Sequence, residues 1–299
     1  MAERRSQFCA GPNRRVVLQL RDVLILVALL YCRIATTSMI CAAFFTDAGL
    51  SRCRRRLRDL YDLGMVERTF VDGAEALYSL GPNGLVHALR WCSEHGIDVT
   101  PAEARTQIRL PALPLRGHAL NVARAYLACR KHLAGVEGAQ WLFEGLVRAD
   151  FRVKPNGPIE APRRAWWKVA FKPDAALQLV GRDARRCTIF FEIDNGTESS
   201  AQVRKKLDAH KIFLKSGQFE TLYGEAEFLT LFITTATLTG RARNLLEIGS
   251  DIGAGFVLAT TLSDLVNRGP LACLCIRVQG VSATLCDILD LNGDRGAAQ

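Results

Sequence analysis

The chain has 299 residues, 39 of them basic and 30 acidic, for a formal net charge of +9. A hydrophobic content of 49% with 23% charged residues excludes a disordered chain, and the length allows two ordinary domains with separate cores. The excess charge is concentrated early: residues 1–70 hold twelve arginines, no lysine and six acids, so +6 of the +9 lies there, which suits a polyanionic partner.

Ten cysteines are scattered along the chain with no C-x-x-C pair, and the five histidines show no ligand spacing with them. They read as buried, reduced thiols rather than a zinc site or a disulfide framework. The longest apolar run, residues 23–32, is preceded by Arg21-Asp22 and followed by Arg33. It is too short to span a bilayer, and no secretory cleavage pattern accompanies it. The expectation is a cytoplasmic protein without a membrane partner.

In chain order, residues 1–15 read as a basic arm with Arg4, Arg5, Arg14 and Arg15. Residues 16–31 carry apolar side chains on most faces, as a buried first helix would. Ala35-Thr36-Thr37 offers a cap for a short second helix over 38–45, and Thr46-Asp47-Ala48-Gly49 is a turn. Ser51 is placed to cap a third helix over 52–63, closed by Gly64, with Leu57, Leu60, Tyr61 and Leu63 as its buried stripe. Residues 65–70 and 76–80 read as two strands joined at Asp72-Gly73, and a helix follows over 85–95. Three helices followed by a two-stranded wing resemble a winged helix-turn-helix domain, here residues 16–98. The third helix would then be the DNA reader. It carries Arg52, Arg54, Arg55, Arg56 and Arg58, five guanidinium groups in seven residues, and the resemblance assigns them to phosphate and major-groove contacts. A solvated charged face is the plain alternative.

Residues 99–117, with Pro101, Pro111 and Pro114, read as a linker. A helix is expected over 118–133 and a strand over 140–146 that includes Glu144. Residues 150–168 read as an irregular basic loop with Arg152, Lys154, Arg163, Arg164 and Lys168 beside Trp166 and Trp167. Two strands, 175–180 and 189–194, would pair like a hairpin and bring Asp174 beside Glu192. Glu192 and Asp194 lie two apart in a strand and so share a face. Converging acids at a sheet end suit a divalent cation. They also suit a capped junction, with Asn195, Thr197 and Ser199 as caps and Glu198 in the first turn of the helix over 199–215. A strand over 227–234, a helix over 240–248 with Arg241 and Arg243, strands over 256–260 and 271–278, and a polar tail over 290–299 complete the reading. His118 and His210 read as helix-surface or structural residues.

The order of elements in residues 118–289 resembles the core of the PD-(D/E)XK nuclease superfamily. That resemblance implies Asp174 and Glu192 as ligands of a divalent cation, Mg²⁺, that would activate water, and Asp194 could serve as a further ligand. The family's lysine position holds Asp194, so Lys205 or Lys206 would have to reach back from the next helix, and Glu144 would be a further acidic partner. The whole is an α+β chain of winged helix followed by a restriction-endonuclease-like domain.

That combination resembles the replication-relaxation family of plasmid and mobile-element proteins. The residues that carry it are Ser51-Arg52-Cys53-Arg54-Arg55-Arg56-Leu57-Arg58-Asp59-Leu60, Leu63-Gly64-Met65-Val66, Tyr78-Ser79-Leu80-Gly81-Pro82-Asn83-Gly84, Lys172-Pro173-Asp174-Ala175, Phe191-Glu192-Ile193-Asp194-Asn195-Gly196-Thr197-Glu198 and Lys206-Leu207. The resemblance implies a double-stranded-DNA-binding protein of replication, relaxation or mobilisation. Two alternatives stand beside it: a Mg²⁺-dependent endonuclease or nickase, and a protein-interaction module in a replication or relaxosome complex. Winged-helix proteins often form homodimers, although no seam is visible in the sequence.

Overall fold

A computed structural model of the chain describes residues 17–45, 49–70, 75–153, 167–180, 184–224, 226–235, 238–278, 280 and 282–289. The basic arm, Thr46-Asp47-Ala48, Asp72-Gly73, Lys154, Arg163, Arg164, Trp166 and the tail lie outside the described residues. The chain divides into two compact units, Met1–Leu127 and Ala128–Gln299.

The first unit contains α1 (Leu20–Cys32), β1 (Ile34–Thr36), α2 (Thr37–Phe44), α3 (Gly49–Asp62), β2 (Val66–Thr69), β3 (Leu77–Leu80), α4 (Pro82–Glu94) and α5 (Pro101–Gln107). A 3₁₀ turn, Leu113–Leu115, leads into α6 (Arg116–His132), within which the boundary between the units falls. α1 buries every residue from position 25 to 32, as its all-round apolar pattern requires, and packs on α4. Thr36 accepts a hydrogen bond from the Met39 N–H and so caps α2. The same Thr36 ends β1, a three-residue strand that completes an antiparallel sheet of order β1-β3-β2. Three residues are too few to show alternation, so β1 is invisible in the sequence pattern.

The glycines of Leu63-Gly64-Met65-Val66 and Tyr78-Ser79-Leu80-Gly81-Pro82-Asn83-Gly84 meet at one junction. Gly64, at φ +66°, ends α3, where a side chain would be strained. A Cβ on Gly81 would stand 2.4 Å from the Gly64 carbonyl oxygen, and one on Gly84 2.1 Å from that of Met65. Backbone therefore meets backbone here. The Gly81 N–H donates to the Met65 carbonyl at 2.9 Å, and Asn83 Nδ2 donates to the Leu63 carbonyl at 2.8 Å. This locks the end of α3 against the start of α4.

The second unit contains β4 (Gln140–Phe143), α7 (Glu144–Val147), β5 (Ala149–Val153), β6 (Trp167–Phe171), β7 (Ala175–Val180), β8 (Arg186–Asp194), α8 (Ser200–Lys215), α9 (Gln218–Tyr223) and β9 (Ala226–Thr234). A π-helical turn, Leu238–Ala242, precedes α10 (Arg243–Asp251), β10 (Val257–Thr261), α11 (Leu262–Arg268), β11 (Leu274–Arg277), β12 (Ser282–Thr284) and α12 (Leu285–Ile288). Seven strands form a mixed sheet of order β12-β11-β10-β9-β8-β7-β4. β8, β9 and β10 are parallel and joined by helical crossovers, as parallel neighbours require, while the outer pairs are antiparallel. From Cys187 onward β8 is buried throughout, which explains its near-continuous apolar sequence. Two apolar clusters lie on the helix-covered face, one around Phe171, Phe190, Phe213 and Phe228, the other around Leu207, Phe232, Leu245 and Val257.

Several expectations are corrected. Ser51 lies inside α3, which begins at Gly49. Tyr61 is 38% exposed, and the buried stripe of α3 is Cys53, Leu57 and Leu60. The linker over 99–117 contains α5, opened by a reciprocal capping box between Thr100 and Glu103. The strand expected over 140–146 ends at Phe143, and Glu144 starts a helix instead of lying within it. The basic segment holds two paired strands, β5 and β6. Nine cysteines among the described residues are free thiols, seven of them buried. No helix of the described residues is long and apolar enough to cross a membrane.

Candidate functional sites

In the first unit, α3 separates its residues by face. Cys53, Leu57 and Leu60, at steps of four and three, are fully buried. Arg52, Arg54, Arg55 and Arg58 are exposed. Arg56 turns the other way, toward α1. Its Nε donates to Asp22 Oδ1 at 2.8 Å, and its Nη2 contacts Asp22 Oδ2 and donates to the Val17 carbonyl at 2.7 Å. The hydrogen-bonded Asp22 carboxylate, itself wholly buried, holds the Arg56 guanidinium above its ordinary pKa. Spacing within α3 groups Arg56 with Arg52 and Arg55, and the partner that redirects it comes from a different helix. A cavity of about 290 Å³ beside these residues is lined by Arg21, Phe45, Arg52, Arg55, Arg56 and Asp59. The Arg21 guanidinium stands 4.2 Å from the centre of the Phe45 ring. On β2, Arg68 lies 4.1 Å from the centre of the Phe70 ring, which is 60% exposed.

In the second unit the acidic residues converge on the end of β8. Asp174 precedes β7 directly, one position before the ladder pair Ala175–Phe191. Its N–H donates to the Phe191 carbonyl at 3.0 Å, and its Oδ2 accepts the Ile193 N–H at 2.7 Å. The carboxylate thereby replaces a ladder partner just beyond the start of β7. Glu192, at 2% exposure, accepts from Lys206 Nζ on Oε2 at 3.0 Å, and its Oε1 lies 2.9 Å from His210 Nε2. The other ring nitrogen of His210 lies 2.8 Å from Thr230 Oγ1 on β9. Lys206 also pairs with Glu198 at 2.7 Å. Asp194 shares the face of Glu192 and is held by both arms of Arg241, at 2.7 and 2.9 Å. Arg241 Nη2 further donates to the Glu198 carbonyl at 2.8 Å, and Asp194 Oδ1 accepts the Gly196 N–H at 3.2 Å. Ser199 caps α8.

The loop over 195–199 is thus stitched by two cations to the strand before it. Of the two lysines weighed in the sequence, the structure brings in Lys206 and leaves Lys205 exposed. His210 and Arg241 are the residues that sequence reasoning did not place here. His210 is one turn beyond Lys206 and so on the same helical face, a signal present in the spacing. Arg241 arrives from a π-helical turn 47 positions after Asp194, with no local signal. Burial pushes the Glu192 pKa up, but Lys206 and His210 more than offset this and hold it below the usual glutamate range. Burial lowers the Lys206 pKa, and Glu192, Asp174 and Glu198 outweigh that and raise it above the usual lysine range.

This arrangement does not fit a divalent cation. Both oxygens of Glu192 and both of Asp194 already face cationic or ring N–H donors, and Lys206 and Arg241 stand where positive charge would be accepted. Among the described residues no group of three or more His, Cys, Asp or Glu side chains is placed to hold a metal ion.

These features define a mixed α/β protein with an arginine-faced helix in one unit and an ion-paired acidic cluster at the centre of the other. The sequence model of the replication-relaxation family matches residues 26–227, more than half of the chain, and the protein belongs to that family. A search of curated proteins found no match.

Proposed function

We propose that this protein binds double-stranded DNA through α3 and acts in replication or relaxation of a plasmid or other mobile element. Family membership supports the replication- or relaxation-related role. The observation that carries DNA binding is the exposed arginine face of Arg52, Arg54, Arg55 and Arg58, set on a helix whose opposite face is fully buried. In this reading the first unit is a winged helix. α3 enters the major groove, β2 and β3 form the wing, and the guanidinium-lined cavity beside Arg52 and Arg55 receives backbone phosphate. Arg56 supports the reader indirectly, by fixing α3 to α1.

The second unit has a sheet-end acidic cluster like that of a nuclease-type domain, with its carboxylates committed to internal cations. This supports a role for Asp174, Glu192 and Asp194 in holding the β8–α8 junction, in preference to strand cleavage. The test is binding of a labelled duplex as salt is varied, for the full chain and for the Arg54→Ala, Arg55→Ala double variant. A phosphate-contacting helix loses affinity steeply with salt and loses part of that dependence with its arginines. A protein-docking module does neither.

A further inference from the structure

β5 and β6 form a two-stranded antiparallel ribbon outside the seven-stranded sheet, with Ala149 opposite Phe171 and Val153 opposite Trp167. Alternation divides it cleanly. Phe151 and Phe171 turn inward onto α8, with ring centres 5.8 and 4.0 Å from that of Phe213. Asp150, Arg152, Lys168 and Ala170 occupy the outer face and are all exposed. On that face Arg152 lies directly opposite Lys168. Like charges directly opposed across a ladder repel, and no fold requirement places them there, because the opposite face supplies the packing. Arg148 and Lys172 flank the ribbon and are exposed as well. Among the described residues of the patch the one carboxylate, Asp150, pairs with Arg148 at 3.0 Å. Arg148, and after it Lys168 and Lys172, hold the Asp150 pKa below its ordinary value. Among the described residues four cations thus accompany one acid. At the end of the ribbon Trp167, opposite Val153 and so on the other face from Arg152 and Lys168, is 64% exposed, a large aromatic surface open to water one residue before Lys168.

We propose that the β5–β6 ribbon is a binding site for single-stranded nucleic acid. Arg152 and Lys168 sit on neighbouring phosphates along one face, and Trp167, at the ribbon's end on the other face, stacks on an unpaired base that turns around that end. The opposed cations have an evident use when an anionic backbone lies across them. An exposed indole face suits a base that is not already stacked within a duplex. The site lies in the second unit and stands independently of the α3 reading, so either can fail alone.

The experiment is anisotropy of a labelled oligothymidylate of about 20 nucleotides with the full-length chain over a range of salt. Arg152→Glu with Lys168→Glu is expected to weaken binding at least about tenfold and to lower the magnitude of the salt slope by about 1.4, the loss of two single-strand phosphate contacts. Trp167→Ala is expected to weaken binding about 5- to 150-fold with the salt slope retained, and Trp167→Phe to restore most of it. In the Arg54→Ala, Arg55→Ala background the ribbon substitutions should weaken oligomer binding by the same factor as in the unaltered chain. Should the double glutamate variant fail to fold, Arg152→Gln with Lys168→Gln reads the same contacts. The proposal is overturned if the unaltered chain shows no saturable binding of the oligomer. It is equally overturned if folded ribbon variants bind within about twofold of it with the same slope.

Discussion

Lys206 Nζ stands 3.0 Å from Glu192 Oε2, a cation carried by α8 to a carboxylate that is 2% exposed on the interior strand β8. Removing either partner has unequal consequences. Glu192→Ala deprives both Lys206 and the buried His210 of their acceptor and is expected to cost about 3–5 kcal/mol. Lys206 keeps a third of its side chain open to water. Lys206→Met should therefore cost less, about 1.5–3 kcal/mol, with His210 still holding Glu192. Urea unfolding of the two variants checks the order.

The same pair fixes the pH profile. Glu192 has its folded pKa below the unfolded one, so its contribution is full above the ordinary glutamate value of about 4.3 and is lost as pH falls through the folded pKa. Lys206 has its folded pKa raised, so its contribution is full below about 10.4 and is lost as pH rises beyond that, through the folded pKa. Stability from this pair should be flat between those limits. In Glu192→Gln the acid-side loss should shrink, as thermal unfolding across pH would record.

Arg241 holds Asp194 with two parallel bonds, and the Asp194 side chain is only 1% exposed. Arg241→Ala is expected to cost about 3–5 kcal/mol by leaving a buried carboxylate unpaired. Asp194→Asn with Arg241→Gln should cost less than the sum of the single changes, by about 0.5–3 kcal/mol in a double-mutant cycle. Because these cations are built in, millimolar Mg²⁺ should raise the unfolding temperature no more than an equal ionic strength of NaCl does. A specific rise with Mg²⁺ would show that the pairs open to admit a cation.

Within α3, adjacent arginines should behave differently. Arg56→Ala leaves Asp22 buried without its partner and should destabilise the protein by about 3–5 kcal/mol. Arg55→Ala, at an exposed position, should change stability by no more than about 0.5 kcal/mol. Denaturant midpoints of the two variants separate support of the fold from surface charge.

Where a periodic pattern ran long, the fold was legible. The helices at α1, α6 and α8 and the strands β7, β8 and β9 stand close to their expected places because six or more residues repeat one period. β1, α9 and β12 run to three or six residues and left no such trace. The ribbon of β5 and β6 was hidden because its exposed face is charged and its two strands are separated by 13 positions outside the described residues. At the acidic cluster, the convergence of Asp174 and Glu192 followed from pairing two adjacent strands. The cations that occupy them did not follow, because Arg241 reaches Asp194 only through the tertiary path past β9. A motif of acids can suggest a cation site, but the partners that fill it come from elsewhere in the chain.

The central claim is that the exposed arginines of α3 contact duplex DNA. Its most direct test is the affinity of the full chain for a labelled duplex across a salt series, compared with Arg54→Ala, Arg55→Ala. Steep loss of binding with salt is expected in the unaltered protein, with a slope reduced in magnitude by about 1.8 in the variant and weaker binding at every salt concentration. Equal affinity and an unchanged slope in a folded variant would contradict it.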